Sequence, residues 1–250
     1  MEKTILFESI LITTPVVALA ALVRGYAGFG FAAIAVVGLN LFLSPQQSIP
    51  LILGLDVLCS AGLWRQARCQ ADIPTFKVLT IGSLLGIPMG LSLLLIVPED
   101  ILKLLICIAI LLFSLVLLFD FQLRSTEGLG TKLSFGMASG LGTAGASVGG
   151  PMIVCYMLSS PLSPSAQRAT MILFFIISEL LALGALFISG LVDLQVVQLL
   201  LILLLPTLLS VRAGQWLFNR YPPKSLKHFA LPILVMISVL GISASLNTLI

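Results

Sequence analysis

Apolar runs close to or above the ~20 residues that a helix needs to cross a bilayer recur along the chain. They lie near residues 5–24, 48–64, 78–97, 101–119, 169–190, 195–217 and 228–249. Charge is scarce between them: only 9% of the 250 residues are Asp, Glu, Lys or Arg, against roughly 25% in a soluble domain. So little charge cannot cover a water-exposed surface, and so much apolar surface excludes disorder. The chain therefore reads as an all-α polytopic membrane protein whose main partner is the lipid bilayer. Nucleic acid is not an expected partner, because no basic run or basic-aromatic cluster occurs.

Two further segments are apolar but broken. Residues 25–43 open with Gly25-Tyr26-Ala27-Gly28-Phe29-Gly30, and residues 131–160 contain Gly140, Gly142, Gly145, Gly149 and Gly150 followed by Pro151. Glycine costs a continuous helix about 1 kcal/mol per residue. A break at membrane depth survives only where protein or a water-filled cavity meets the freed backbone groups.

The breaks belong to a longer repeat with a period near 120 residues. Ser44-Pro45-Gln46-Gln47 recurs loosely as Ser163-Pro164-Ser165-Ala166-Gln167, an embedded acid follows each (Asp56, then Glu179), and Gly90 and Pro98 match Gly214 and Pro222. The halves are taken as residues 1–122 and 123–250, within one membrane-embedded domain. Each is expected to hold one broken segment and three transmembrane helices.

The positive-inside rule orients the halves. If each broken segment crosses once, the Lys and Arg residues divide six and six, with Arg212 inside a span. If each is a re-entrant hairpin, Arg65, Arg68, Lys77, Arg124, Lys132, Arg168, Arg220, Lys224 and Lys227 share one face, against Lys3 and Lys103 on the other. Nine against two favours two inverted repeats with both termini outside. Length agrees, since residues 5–43 as one helix would reach roughly 58 Å.

The paired clusters, Gly25, Gly28, Phe29 and Gly30 before an apolar run, then Ser139-Gly140 with Gly145, Gly149 and Gly150, resemble the two motifs of the TauE/SafE family of sulfite-exporter permeases. Gly38 stands where the family usually has a proline, and Pro151 follows the glycines directly. The resemblance covers nearly the whole chain. It implies transport of small sulfur-containing or organic anions across the bacterial inner membrane, as a multi-pass protein without a cofactor. Substrate and direction vary within the family.

The residues permit that chemistry. A helix starting after Gly30, and another after Gly150, would each present unpaired N–H groups and a partial positive charge to an oxyanion. Glycine leaves room for the ligand to approach, and Pro151 suits a first turn. Thr143 and Ser147 add hydroxyl donors. The competing reading is close helix packing, which also selects small residues; Gly82, Gly86 and Gly90 are read that way. Arg24, beside the first break, is either the anion-coordinating fork or an interfacial arginine reaching headgroups. Asp56 and Glu179 are either proton acceptors that couple transport or salt-bridge partners, for example of Arg24 or Arg168. Gln47 and Gln167 either donate to substrate or make capping and loop contacts. Tyr26 and Phe29 line the pathway or pack.

Metal and enzyme chemistry find little support. The only histidine, His228, sits beside Lys227, and Cys59, Cys69, Cys107 and Cys155 lack paired spacing and read as buried packing thiols. No nucleophile–base pattern and no phosphate-binding GxxxxGK[ST] occurs. The expected function is a secondary transporter of small anions, sulfur oxyanions or organosulfonates, working by alternating access around a midplane site. A passive anion channel and a non-transporting assembly subunit are the other classes. A homo-oligomer is a possible assembly.

Overall fold

The computed structural model describes residues 2–27, 30–61, 64–118, 128–221, 235–236, 239 and 241–243. Gly28 and Phe29, Arg124, Lys224, Lys227, His228 and most of the expected span at 228–249 lie outside the described residues, as does the side chain of Glu8. Within them the chain is helical, with no strand. The elements are α1 (Glu2–Ala27), α2 (Phe31–Asn40), α3 (Pro45–Ser60), α4 (Trp64–Gln70), α5 (Ile73–Ile96), α6 (Glu99–Leu118), α7 (Leu129–Ala146), α8 (Gly150–Leu158), α9 (Pro164–Ile188) and α10 (Leu194–Arg220). Ile73–Ile96, Ser165–Ile188 and Leu194–Leu217 are long and apolar enough to cross a membrane. They also expose large side chains such as Leu84, Leu201 and Leu205, as lipid-facing helices do.

Both broken segments fold back on themselves. Gly38 of α2 lies against Val16 of α1, where a Cβ would fall 2.5 Å from Val16 Cγ1. Because Gly30 is only a few residues from the end of α1, α2 must run back along it. In the second segment α7 is capped by Ser147, a non-glycine residue with φ 56°. The chain then reverses so sharply that a Cβ on Gly149 would fall 2.3 Å from Ser139 O and 2.0 Å from Thr143 Oγ1. Ser139 Oγ donates to Gly149 O at 2.9 Å and closes the reversal.

One end of the bundle collects several helix starts. Lys132 Nζ, in the first turn of α7, donates to Thr75 Oγ1 in the first turn of α5 at 2.9 Å. The Asp72 N–H, at the cap of α5, donates to Thr170 Oγ1 near the start of α9 at 2.9 Å. Short α4 packs there as well, Ala67 with Ala169 and Leu173. Since α7 and α9 both start at this end, the chain between them returns to the end it left. Arg65, Arg68, Lys77, Lys132 and Arg168 are borne on these same helix starts and on α4.

The most extensively packed helix pairs are α5 with α7 and α1 with α10. Glycine makes both possible. A Cβ on Gly82 would fall 2.3 Å from Leu133 O, one on Gly86 2.0 Å from Met137 O, and one on Gly90 2.3 Å from Leu141 O. The contacts advance four residues at a time on both helices, so α5 and α7 run parallel with their backbones touching. This is the small-residue packing expected of Gly82, Gly86 and Gly90. The other pair repeats the arrangement: Gly214 meets Gly25 and Leu22 O, just as Gly90 meets Gly145 and Leu141 O.

The core lies between these pairs. Its centre is α3, where every residue from Ser48 to Asp56 is buried. Phe31, Ile34, Leu39, Ile52, Leu55, Ala182 and Leu186 belong to the same cluster.

Candidate functional site

The two short helices that follow the breaks point their first turns at a common space. Gly30 and Ala33 line it from α2, and Gly149, Gly150 and Pro151 from α8. Gly30 caps α2 with φ 93°, in the left-handed region where glycine is the residue of least strain. Neither helix has a side-chain cap. The starts of α3 and α7 also lack one, whereas α5, α9 and α10 are closed by Asp72, Ser163 and Asp193, which accept from Thr75, Ala166 and Val196 N–H. Pro151 occupies the first turn of α8, where its missing N–H leaves no unmet bond.

The space has a volume of about 70 Å³, several times the ~10–15 Å³ that one water requires. A small polyatomic anion is of that size. Arg24, Asp56, Thr143, Ser147 and Glu179 bring polar groups to its wall. Ser147 is 3% exposed and its Oγ has no hydrogen-bond partner.

Three charged side chains meet here. Arg24 Nη1 lies 2.7 Å from Asp56 Oδ1, and Nη2 donates to Ser60 Oγ. Nη1 and Oδ1 are ion-paired by distance, but their vectors do not align as a hydrogen bond. Arg24 thus ties the end of α1 to two positions one turn apart on α3. Glu179 comes from α9 to within interaction range of Asp56 and Arg24. It is 7% exposed, and its Oε2 has no partner.

Other candidate residues fall elsewhere. Gly25 is spent on the crossing with α10, against Val211 O, and Gly145 on the crossing with α5, against Gly90 O. Gln167 Nε2 donates to Ser160 O at 3.1 Å, a loop contact. Gln47, in the first turn of α3, does not line the cavity. Arg168 is exposed near the start of α9, away from Glu179. Gly28 and Phe29 lie outside the described residues. Tyr26 donates through its hydroxyl to Tyr221 O at 3.0 Å, holding α1 to the end of α10. All four cysteines are free, but only Cys107 is buried; Cys59 and Cys155 are half-buried, and Cys69 is exposed, since it sits on polar α4.

The structure adds residues that sequence reasoning passed over. Phe175 lines the cavity from α9, and Ser60 holds Arg24. Both had a signal in the repeat. Measured from the opening prolines Pro45 and Pro164, Asp56 falls in register with Phe175, and Ser60 with Glu179. The embedded acids are therefore offset by one helical turn.

Comparison with curated proteins gives no match, and comparison with solved structures gives none either. The family model described as Sulfite exporter TauE/SafE matches residues 13–241. With apolar helices long enough to span a bilayer and that match over nearly its whole length, the chain is a membrane protein and belongs to the sulfite exporter TauE/SafE family.

Proposed function

We propose that the protein is a secondary transporter of small anions, sulfur oxyanions or organosulfonates, in the bacterial inner membrane. It works by alternating access around the cavity between α2 and α8. One observation carries this reading: the uncapped first turns of both short helices and the unpartnered Ser147 hydroxyl face the same small space. Free N–H groups at two helix starts, each with its partial positive charge, suit an oxyanion. A tetrahedral or pyramidal anion offers several oxygens for them to share. Arg24 supplies the fixed positive charge on the same wall.

The architecture we infer is two inverted repeats, residues 1–122 and 123–250, each with a re-entrant hairpin (α1–α2 and α7–α8) and three further spans. The fold-back of both hairpins, the shared end of α5, α7 and α9, and the matching glycine crossings support it. Such repeats with discontinuous helices meeting near the midplane are common among secondary transporters.

The test is flux in proteoliposomes containing the purified full chain, with sulfite, thiosulfate, a small sulfonate and a small carboxylate as probes. We expect saturable flux of at least one sulfur anion, and accumulation against its gradient when a driving ion gradient is imposed. Flux that never exceeds equilibration would replace the transporter by a channel. Absence of flux for the whole panel would end the reading.

A further inference from the structure

The cavity wall holds two acids and one base, and the base is already engaged. Arg24 is bound by Asp56 at 2.7 Å and by Ser60. The charged or titratable groups around Glu179 are Asp56 and Cys59 on α3 and Arg24 on α1. The lining residues from α7, α8 and the turn between them carry no charge: Thr143, Ser147, Gly149, Gly150, Pro151 and Val154. The α5 contact is Ser83 Oγ to Ser178 Oγ, and Arg65 and Arg68 of α4 are exposed. With both acids ionised the wall carries one excess negative charge. An arriving anion would then be a third negative charge facing one guanidinium beside two buried acids, where like charges repel strongly.

Glu179 can remove that repulsion. Its Oε2 is buried and unpartnered, and the residue lines the cavity. As a carboxylate it only accepts; once protonated it becomes a donor. Resting on the transport reading above, we infer that Glu179 is the proton carrier of the cycle, binding the anion as the neutral acid so that one proton travels with each anion.

The balance is simple. A proton from one side bonds to a Glu179 carboxylate oxygen. The O–H then donates to an oxygen of the anion beside the Ser147 hydroxyl. After the cavity opens to the other side the anion leaves, the proton follows it, and ionised Glu179 disfavours re-entry. For a monoanion the step moves no net charge. Asp56 is the poorer carrier because its carboxylate is already paired with Arg24.

The experiment uses radiolabelled sulfite with wild type, Glu179→Gln and Glu179→Asp in proteoliposomes. Exchange is measured at equal pH on both sides, across a pH series, and accumulation under an imposed pH gradient. Sulfite titrates itself, but identically in every arm, so differences between variants belong to the protein. Wild type should accumulate sulfite about tenfold per pH unit at one proton per anion. E179Q should exchange with a flattened pH profile and lose accumulation; E179D should keep accumulation. Accumulation by E179Q equal to wild type overturns the proposal. So does loss of exchange in folded E179Q, or equal loss of accumulation in E179Q and E179D. If E179Q does not insert, proton movement reported by an entrapped dye during wild-type exchange decides, and exchange without proton movement overturns it. Wild type that exchanges sulfite but ignores the pH gradient overturns this proposal alone. Wild type that moves no sulfite removes the transport reading for this anion and the proposal with it.

Discussion

Ser60 of α3 and Glu179 of α9 stand at the same register past the proline that opens each helix, yet one anchors Arg24 and the other keeps a free carboxyl oxygen. The matching pair Asp56 and Phe175 is equally unlike. The two helices thus place different chemistry at matching positions, and the cavity's charges, Arg24 and Asp56 from one half of the chain and Glu179 from the other, do not fall at matching positions.

That asymmetry makes the ion pair of Arg24 and Asp56 vulnerable to single changes. Arg24→Gln strands a buried carboxylate, whereas Asp56→Asn strands a guanidinium that is 15% exposed and can still bond Ser60. Removing one partner of a buried pair costs about 3–5 kcal/mol. Arg24→Gln should approach that range and Asp56→Asn should fall below it. Thermal unfolding in detergent gives the ranking; equal stability of both variants and wild type would mean that the pair does not hold α1 to α3.

Ser147 has the opposite profile. Its hydroxyl bonds nothing in the protein, so Ser147→Ala should leave unfolding temperature unchanged. A hydrogen bond to a charged group is worth about 1.5–3 kcal/mol. The variant should therefore raise KM for the transported anion by roughly tenfold or more. An unchanged KM would place the anion elsewhere.

The parallel crossing of α5 and α7 depends on the missing side chain at Gly86. A methyl there meets Met137 O at 2.0 Å, and backbone cannot yield as a side chain does. Gly86→Ala should lower the folded yield sharply. Gly184, in α9, meets nothing within 4 Å, so Gly184→Ala should be neutral or stabilising by up to about 1 kcal/mol. Monodisperse yield on gel filtration compares the two.

Cys69 offers a test of orientation. It is exposed on α4 between exposed Arg68 and the start of α5. If the basic end is cytoplasmic, a membrane-impermeant maleimide should label Cys69 in inside-out vesicles and not in intact cells. A cysteine replacing Lys103 on an otherwise Cys-free background should show the reverse. Labelling of both sites from the same side would mean that α5 does not cross the membrane.

A link between α5 and α9 should reveal motion of α9, which carries Phe175 and Glu179 to the cavity. Ser83 Oγ and Ser178 Oγ lie 2.6 Å apart, both buried. Cysteines at these two positions are close enough to bridge. Oxidation of the Ser83→Cys/Ser178→Cys variant should arrest flux, and reductant should restore it. Undiminished flux in the bridged protein would mean that α9 keeps its place on α5 throughout the cycle.

Much of this was legible in the sequence because glycine density marks where a membrane helix cannot continue. The breaks before Phe31 and Gly150, the proline in the first turn of α8, and the tight packing at Gly82, Gly86 and Gly90 follow from that. The side chains facing the cavity were harder to choose. From Ser48 to Asp56 helix α3 is buried all round, so no polar stripe marks a preferred face. Pairing Asp56 with Glu179 by order alone missed one helical turn, because only the capping prolines fix the register. Gly25 and Gly145 looked like ligand positions, but a glycine beside a break serves equally well where two backbones cross.

Each of the two backbone crossings joins an element of one half to an element of the other: α5 to α7, and α1 to α10. A motion that swings the first half as a block against the second would have to peel both crossings apart, carbonyl from α-carbon, with no water in the lipid to meet the exposed groups. Motions that carry each clasped pair as one body leave these seams closed. The halves of the chain are therefore divisions of the sequence, whereas a unit that moved as one body would be a couple drawn from both.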